Sequence, residues 1–386
     1  MIYIPILIYT LFLVYSYDYR RIQNSFNLHF YCLLAISILL GGLSYRLGID
    51  TLRYEAFFES LHEGSFYDIK DYLTGNYEPI WFFLNRFISS IGAPFWVFRI
   101  VVLGFVNSIY FWFIKKYSPA VFFAIFVYFI YFYFDFNFQI TREALAVAFT
   151  LIGLDRFLSS KRERGFLLYL FWFFIASLCH HYAIIGIIVP FATLLTNGKR
   201  FAIAIIIVLI FVPYMDWFFT TIGMVDEDLT VKIEKYLSID RQGYQNGVSL
   251  IIILKNLIMG GLPVFLCLSC FKWSKYGRFS GFAFVYIVIG ILSVSSLGII
   301  YRLESYFAIP MAVSMGESFY YTVVEKERGK LSKNNLITTI IFVWLFFAPL
   351  YTLFKSYLWP MYIPYSSVIT KNTNAVRENL YRFAGE

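Results

Sequence analysis

Residues 94–135 read PFWVFRIVVLGFVNSIYFWFIKKYSPAVFFAIFVYFIYFYFD, and this stretch decides the fold class. Residues 94–114 form an apolar run whose one charge is Arg99, close to the roughly 20 residues that carry a helix across a bilayer. Lys115-Lys116 then interrupts the run, and a second apolar run occupies residues 119–135. Span, basic turn, span is the pattern of a transmembrane helical hairpin with its turn in the cytoplasm.

Outward from this hairpin the same alternation recurs along the whole chain. Apolar runs lie near residues 2–17, 28–44, 143–159, 166–179, 182–196, 200–215, 248–270, 280–298, 305–322 and 336–354, making about twelve spans in all. The stretch 166–196 reads either as two short spans around His180-His181 or as one long tilted helix. Of the 386 residues, 60% are hydrophobic and 15% charged, at a mean hydropathy of +0.67. A soluble domain is nearer half apolar and a quarter charged. The expectation is an all-α polytopic integral membrane protein, with residues 1–386 forming one membrane domain.

Short basic loops set the orientation. Arg20-Arg21, Lys115-Lys116, Lys161 to Arg164, Lys199-Arg200, the Lys272/Lys275/Arg278 loop and the Lys326/Arg328/Lys330/Lys333 loop alternate consistently with the spans. The positive-inside rule places all six in the cytoplasm and both termini outside. Two long outer segments result, residues 45–93 and 216–247. In the first, Pro79 to Ile91 is amphipathic and opens with proline, which favours the first helical turn, so a short interfacial or re-entrant helix is expected near 79–91.

Several function classes drop out. The net charge of +8 comes from dispersed topology determinants, so no nucleic-acid partner is expected. All four cysteines lie in apolar runs, which excludes a secreted disulfide framework. Cys267 and Cys270 have zinc-knuckle spacing without a second pair, and read as packing. No soluble-enzyme motif is present. No internal repeat is evident, which weakens a transporter reading.

Charges placed where they are expensive carry the functional signal. Arg142 and Arg302 each sit in a short outer hairpin, against the charge rule, beside an apolar helix. They read as an anion site, or else as local ion pairs with Glu143 and Glu304 or as side chains reaching for lipid phosphates. His180-His181 falls at the same outer level, where a neutral imidazole can accept a hydroxyl proton, and only one of two adjacent residues can face a given cavity. The first outer loop adds Arg46, Asp50 and Arg53, which share a helical face or cluster about a turn at Gly48. Glu55, Glu59 and Glu63 follow at four-residue steps as a solvated face. Glu78 lies beside the membrane surface, and Arg99 and Lys255 lie near outer ends of spans. Arginine around apolar helices on one face suits an amphiphile with an anionic head and a lipid tail.

These residues also form ordered islands. Arg46-x-Gly48-x-Asp50-x-x-x-Tyr54 is followed by Tyr77-Glu78-Pro79-x-x-x-Phe83. Gln139-Ile-Thr-Arg142-Glu143-Ala-Leu-Ala146 matches an N-x-x-R-(Q/E)-x-(I/L)-A block except at its first residue. His181-Tyr182-Ala183 matches a His-x-(S/T/Y)-A marker one residue short, and Arg302, Tyr306 and Phe307 match R-x-x-x-Y-F. In this order the islands resemble the EpsG-like, Wzy-type polysaccharide polymerases.

The resemblance implies a membrane glycosyltransferase that joins undecaprenyl-pyrophosphate-linked oligosaccharide repeat units at the outer face of the bacterial inner membrane. It also implies a flippase and a chain-length regulator as partners. On that reading Arg142, Arg302, Arg46 and Arg53 bind the substrate pyrophosphate. His181, Asp50 or Glu78 takes the acceptor proton. No cofactor and no metal is expected, because arginines can neutralise the leaving group and no metal-ligand constellation stands out. A glycan ligase shares the topology and the pyrophosphate chemistry and differs in its acceptor. A lipid-linked oligosaccharide flippase would instead need internal symmetry and charges throughout the membrane depth.

Overall fold

The computed structural model of the chain describes residues 2–63, 78–195, 279–295, 298–324 and 359–384. The runs near 200–215, 248–270 and 336–354, the outer segment 216–247, residues 64–77 of the first outer segment, Lys255, Cys267, Cys270 and the last three basic loops lie outside the described residues. Among the described residues every regular element is helical, with a single isolated bridge between Ser44 and Ser367.

In chain order, α1 spans Tyr3–Leu13 and continues into a π-turn, Val14–Tyr19. Then come α2, Phe26–Gly42; α3, Ile49–Glu63; α4, Pro79–Ser90; α5, Phe95–Tyr117; and α6, Val121–Tyr131. A second π-turn, Asp135–Gln139, leads into α7, Thr141–Ser159, and α8, Arg162–Ser177. A 3-10 helix occupies His181–Leu194. Next are α9, Ser280–Ser295, and α10, Gly298–Phe319, and the chain closes with α11, Ala375–Ala384. The break after α8 resolves the 166–196 stretch into two helices that part at His180. The helix expected near 79–91 is α4, with Pro79 in its first turn.

The chain forms two compact units, Met1–Ile187 with Leu350–Glu386, and Ile188–Pro349. In the first, α2 and α7 pack on α5, α1 on α6, α8 on α7, and α11 on α3. Every residue of α6 from Val121 to Ile130 is buried, as expected of a helix apolar on all sides. In the second unit α9 packs on α10. Gly281 abuts the backbone of the 3-10 helix so closely that a Cβ would fall 2.1 Å from the Ala192 carbonyl oxygen.

Among the described residues α5 is the helix both long and apolar enough to cross a membrane, at 23 residues with a mean hydropathy of 1.9 over its 18-residue apolar stretch. At 1.5 Å per residue it is about 34 Å long. α2, α6, the 3-10 helix and the start of α9 are apolar but shorter. Large apolar side chains cover the outside: Ile4, Ile8 and Phe12 on α1, Phe83 and Phe87 on α4, Phe171 and Phe174 on α8. A soluble fold would bury such rows; facing lipid, they cost nothing.

Polar groups are instead inside, and they tie the two ends of α5. At its C-terminal end Lys116 pairs with buried Asp155 of α7, which also accepts from the Tyr117 hydroxyl at 2.7 Å. Near its N-terminal end buried Arg99 donates to the carbonyls of Ser44 (3.0 Å) and Asn137 (2.9 Å). Deeper in, the Asn107, Tyr128 and Asn137 side chains close a ring of 2.8 Å hydrogen bonds. A fully satisfied buried network of this kind specifies one packing arrangement. Its effect here is to hold the π-turn that delivers the chain into α7.

Candidate functional site

One cluster of charged groups in the first unit lies at the end of α5 opposite Lys115 and Lys116. Four sequence islands meet there. Gly48, at φ +84°, breaks the chain before α3, so Arg46 and Asp50 do not share a helical face. It lies directly on the π-turn: a Cβ at this position would fall 2.0 Å from the Phe138 carbonyl oxygen. That close approach is the physical reason for glycine here. Beside it the Thr51 hydroxyl donates to the Phe138 carbonyl at 2.6 Å, and the Asp50 amide donates to Gln139 Oε1 at 3.4 Å. Gln139 in turn donates to the Tyr362 hydroxyl at 2.7 Å.

α7 begins two residues later, so Arg142 and Glu143 stand in its first turn. The Glu143 carboxylate suits the positive end of the helix dipole. The centre of the cluster is Glu78, the residue before α4, which is 1% exposed. Its Oε2 accepts from Arg142 Nη1 at 2.8 Å. Its Oε1 faces His180 Nδ1 at 3.0 Å and accepts from the backbone amide of His181 at 2.9 Å. The Ile80 amide donates to the Leu178 carbonyl at 3.0 Å, pinning the start of α4 to the end of α8. On its other side His180 Nε2 lies 3.7 Å from Glu143 Oε2.

Burial pushes the Glu78 carboxyl up, but the His180 hydrogen bond, the Arg142 charge and the His181 amide outweigh it and hold it at about 2. A carboxylate so firmly ionised is a weak proton acceptor. Its part is to fix the groups around it. Arg142 keeps 20% of its side chain exposed, and the His181 side chain is exposed at the start of the 3-10 helix. One buried carboxylate therefore positions both an accessible guanidinium and the backbone of an accessible imidazole.

The other candidates are placed as follows. Arg46 donates to both carboxylate oxygens of Glu378 on α11, at 3.0 and 2.9 Å. Arg53 is exposed and lies 3.7 Å from Asp50, one turn back on α3. Arg302 belongs to the second unit. There α10 starts at Gly298, earlier than the span expected at 305–322, so Arg302 is half-buried in the second turn of a helix rather than in a hairpin. Tyr306 and Phe307, a turn further on, are buried.

Glu55 departs from the solvated face expected of it. It is partly buried, and burial, with the Glu59 charge added, pushes its carboxyl up to about 7. His180 and Glu143 were the members that sequence reasoning undervalued. For His180 a signal existed: His180-His181-Tyr182-Ala183 fits the His-x-(S/T/Y)-A marker at full length.

These features define a helical protein with an apolar exterior and a charged, arginine-bearing site at one end. The family model of the EpsG family matches residues 27–367, and the chain belongs to that family. The match takes in every island described above. Membership points to polysaccharide biosynthesis at a membrane. Neither the curated proteins nor the solved structures contain a match to the chain.

Proposed function

We propose that the chain is a Wzy-type polymerase, a multi-pass protein of the bacterial cytoplasmic membrane that joins undecaprenyl-pyrophosphate-linked repeat units at the outer face. The observation that carries this reading is the Glu78 carboxylate, which holds Arg142 and the backbone of His181 together in a chain of the EpsG family.

The chemistry follows from those groups. The anomeric C–O bond to the carrier breaks, and its electron pair leaves with undecaprenyl pyrophosphate. Arg142 stabilises the charge that develops there through charge-assisted hydrogen bonds. The acceptor hydroxyl oxygen forms the new C–O bond, and its proton passes to His181. Asp50 is the next candidate for that proton, since Glu78 is held ionised by its partners. Arg46 and Arg53 stand further along the same loop as auxiliary anion contacts.

The test uses purified protein in nanodiscs with undecaprenyl-pyrophosphate-linked repeat units. The expected result is free undecaprenyl pyrophosphate together with a ladder of lipid-linked glycans. Arg142→Ala should abolish both, and Arg142→Lys should restore only part, because lysine lacks the bidentate fork. Transfer to an unrelated acceptor without a ladder would make the protein a ligase. Leaflet exchange without a new glycosidic bond would make it a flippase.

A further inference from the structure

Residues 359–384 belong to the first unit and close on the site from the far end of the chain. The Tyr45 amide donates to the Ser366 carbonyl at 3.0 Å, and the Val368 amide to the Leu43 carbonyl at 2.9 Å, so this tail runs antiparallel to the exit of α2. Tyr362 reaches further in. It is 3% exposed, and its ring centroid lies 6.1 Å from that of Phe138 in the π-turn. Its hydroxyl accepts from Gln139 Nε2 at 2.7 Å.

Gln139 ends that π-turn, just ahead of Arg142, and both ends of its amide are used. Oε1 accepts from the Asp50 amide at 3.4 Å while Nε2 donates to Tyr362. Asp50 lies in the first turn of α3, where backbone amides lack an acceptor within the helix. The terminal torsion of a glutamine is soft. Its two amide heads share one plane, however, so holding Nε2 also aims Oε1. Tyr362 is held in turn by α11. There the buried Arg377 guanidinium donates to the carbonyls of Pro360 at 3.0 Å and Pro364 at 2.6 Å, on either side of Tyr362. Burying a cation is costly, and here its hydrogen bonds shape the turn that carries Tyr362.

We propose that Tyr362 is a positioning residue of the site: through Gln139 it holds the start of α3, with Asp50, in register with the start of α7, with Arg142. The C-terminal tail is then a working part of the site. The use made of Asp50 and Arg142 rests on the function proposed above, whereas the link from Tyr362 to Asp50 does not.

Two readouts separate these layers: deuterium exchange at the Asp50 amide in nanodiscs without substrate, and the kcat and KM of polymerisation. Tyr362→Phe deletes one oxygen and keeps the ring. Exchange at Asp50 should quicken, because its acceptor is no longer aimed. The kcat of the folded protein should fall about tenfold or more with KM less affected, since misplaced groups are felt most in the transition state. Gln139→Met should act in the same direction, and adding Tyr362→Phe to it should change little more, because the two residues act through one link. Tyr365→Phe is the control. It removes a hydroxyl of the same tail that donates to the Leu40 carbonyl of α2 at 3.1 Å. It should alter the melting temperature alone, leaving Asp50 exchange and the kcat of the folded protein unchanged.

Unchanged exchange or full kcat in Tyr362→Phe would overturn the proposal. So would a double variant whose losses multiply, or a Tyr365→Phe protein as slow as Tyr362→Phe. Exchange as expected in a protein whose wild type forms no polymer would overturn the functional reading and leave the link to Asp50 standing.

Discussion

Glu78 Oε2 lies 2.8 Å from Arg142 Nη1, although 64 residues separate the two in the chain. The carboxylate is buried and the guanidinium reaches the surface, so the pair presents a fixed positive charge at one end of the helical bundle. Replacing Glu78 with Gln should therefore damage the site without touching any group proposed to contact substrate. The loss of a charge-assisted hydrogen bond is worth roughly 1.5–3 kcal/mol. Polymer formation should fall by at least about tenfold, read against the amount of protein in the membrane. Full activity in Glu78→Gln would remove it as the organiser of the site.

The pH dependence of stability should carry the mark of the same residue. Glu78 is held at about 2 against an ordinary 4.5, so its contribution is present above 4.5 and is lost as pH falls toward 2. Glu55 has the opposite sign. Its value is raised to about 7, so its contribution is present below 4.5 and is lost as pH rises through 7. Glu78→Gln should flatten the acid limb of a melting-temperature profile, and Glu55→Gln the limb near neutrality. Profiles unchanged by both substitutions would contradict these assignments.

Gly48 offers a test of the packing that joins the first outer loop to the π-turn. Alanine there would combine a positive φ with a Cβ 2.0 Å from a backbone carbonyl. Strain of this kind costs about 1–3 kcal/mol and here adds to a direct clash. Gly48→Ala should lower the melting temperature and weaken activity together, because the same π-turn leads into Arg142. An unaltered melting temperature would mean that the loop packs differently.

His181 has an exposed ring and an amide held by Glu78, as a base facing an acceptor requires. His181→Gln should lower turnover by about 10²–10⁴-fold with the protein level intact, because an amide cannot take up the proton. A fully active His181→Gln enzyme would pass the role to Asp50.

Membrane topology can be checked independently of chemistry. Reporter fusions after Arg164 and after Gly329 should report cytoplasm, and fusions after Asp228 the exterior, in keeping with about twelve spans and both termini outside. An exterior signal at Arg164 would place the Glu78–Arg142 site on the wrong face for the proposed substrate.

Much of this protein was legible along the chain. Apolar run length marked the positions of α1, α2, α5, α6 and α7, because hydropathy and helical periodicity are local properties of neighbouring residues. Pro79 marked the start of α4 for an equally local reason. The expense of charge beside apolar helices singled out Arg142 and Arg302, whereas Glu78 read only as a carboxylate beside the membrane surface. Pairing is different, because it depends on which helix faces which. The neighbour of Arg142 in sequence is Glu143, yet Arg142 bonds to Glu78 and Glu143 turns to His180, since successive residues on a helix point about 100° apart. Of two adjacent histidines, one ring is buried between carboxylates and the other is exposed, a choice made by the packing of α8 against α7 and by the hydrogen bond from Ile80 to Leu178. Local composition placed the charges at the ends of the helices, and long-range packing assigned each its partner.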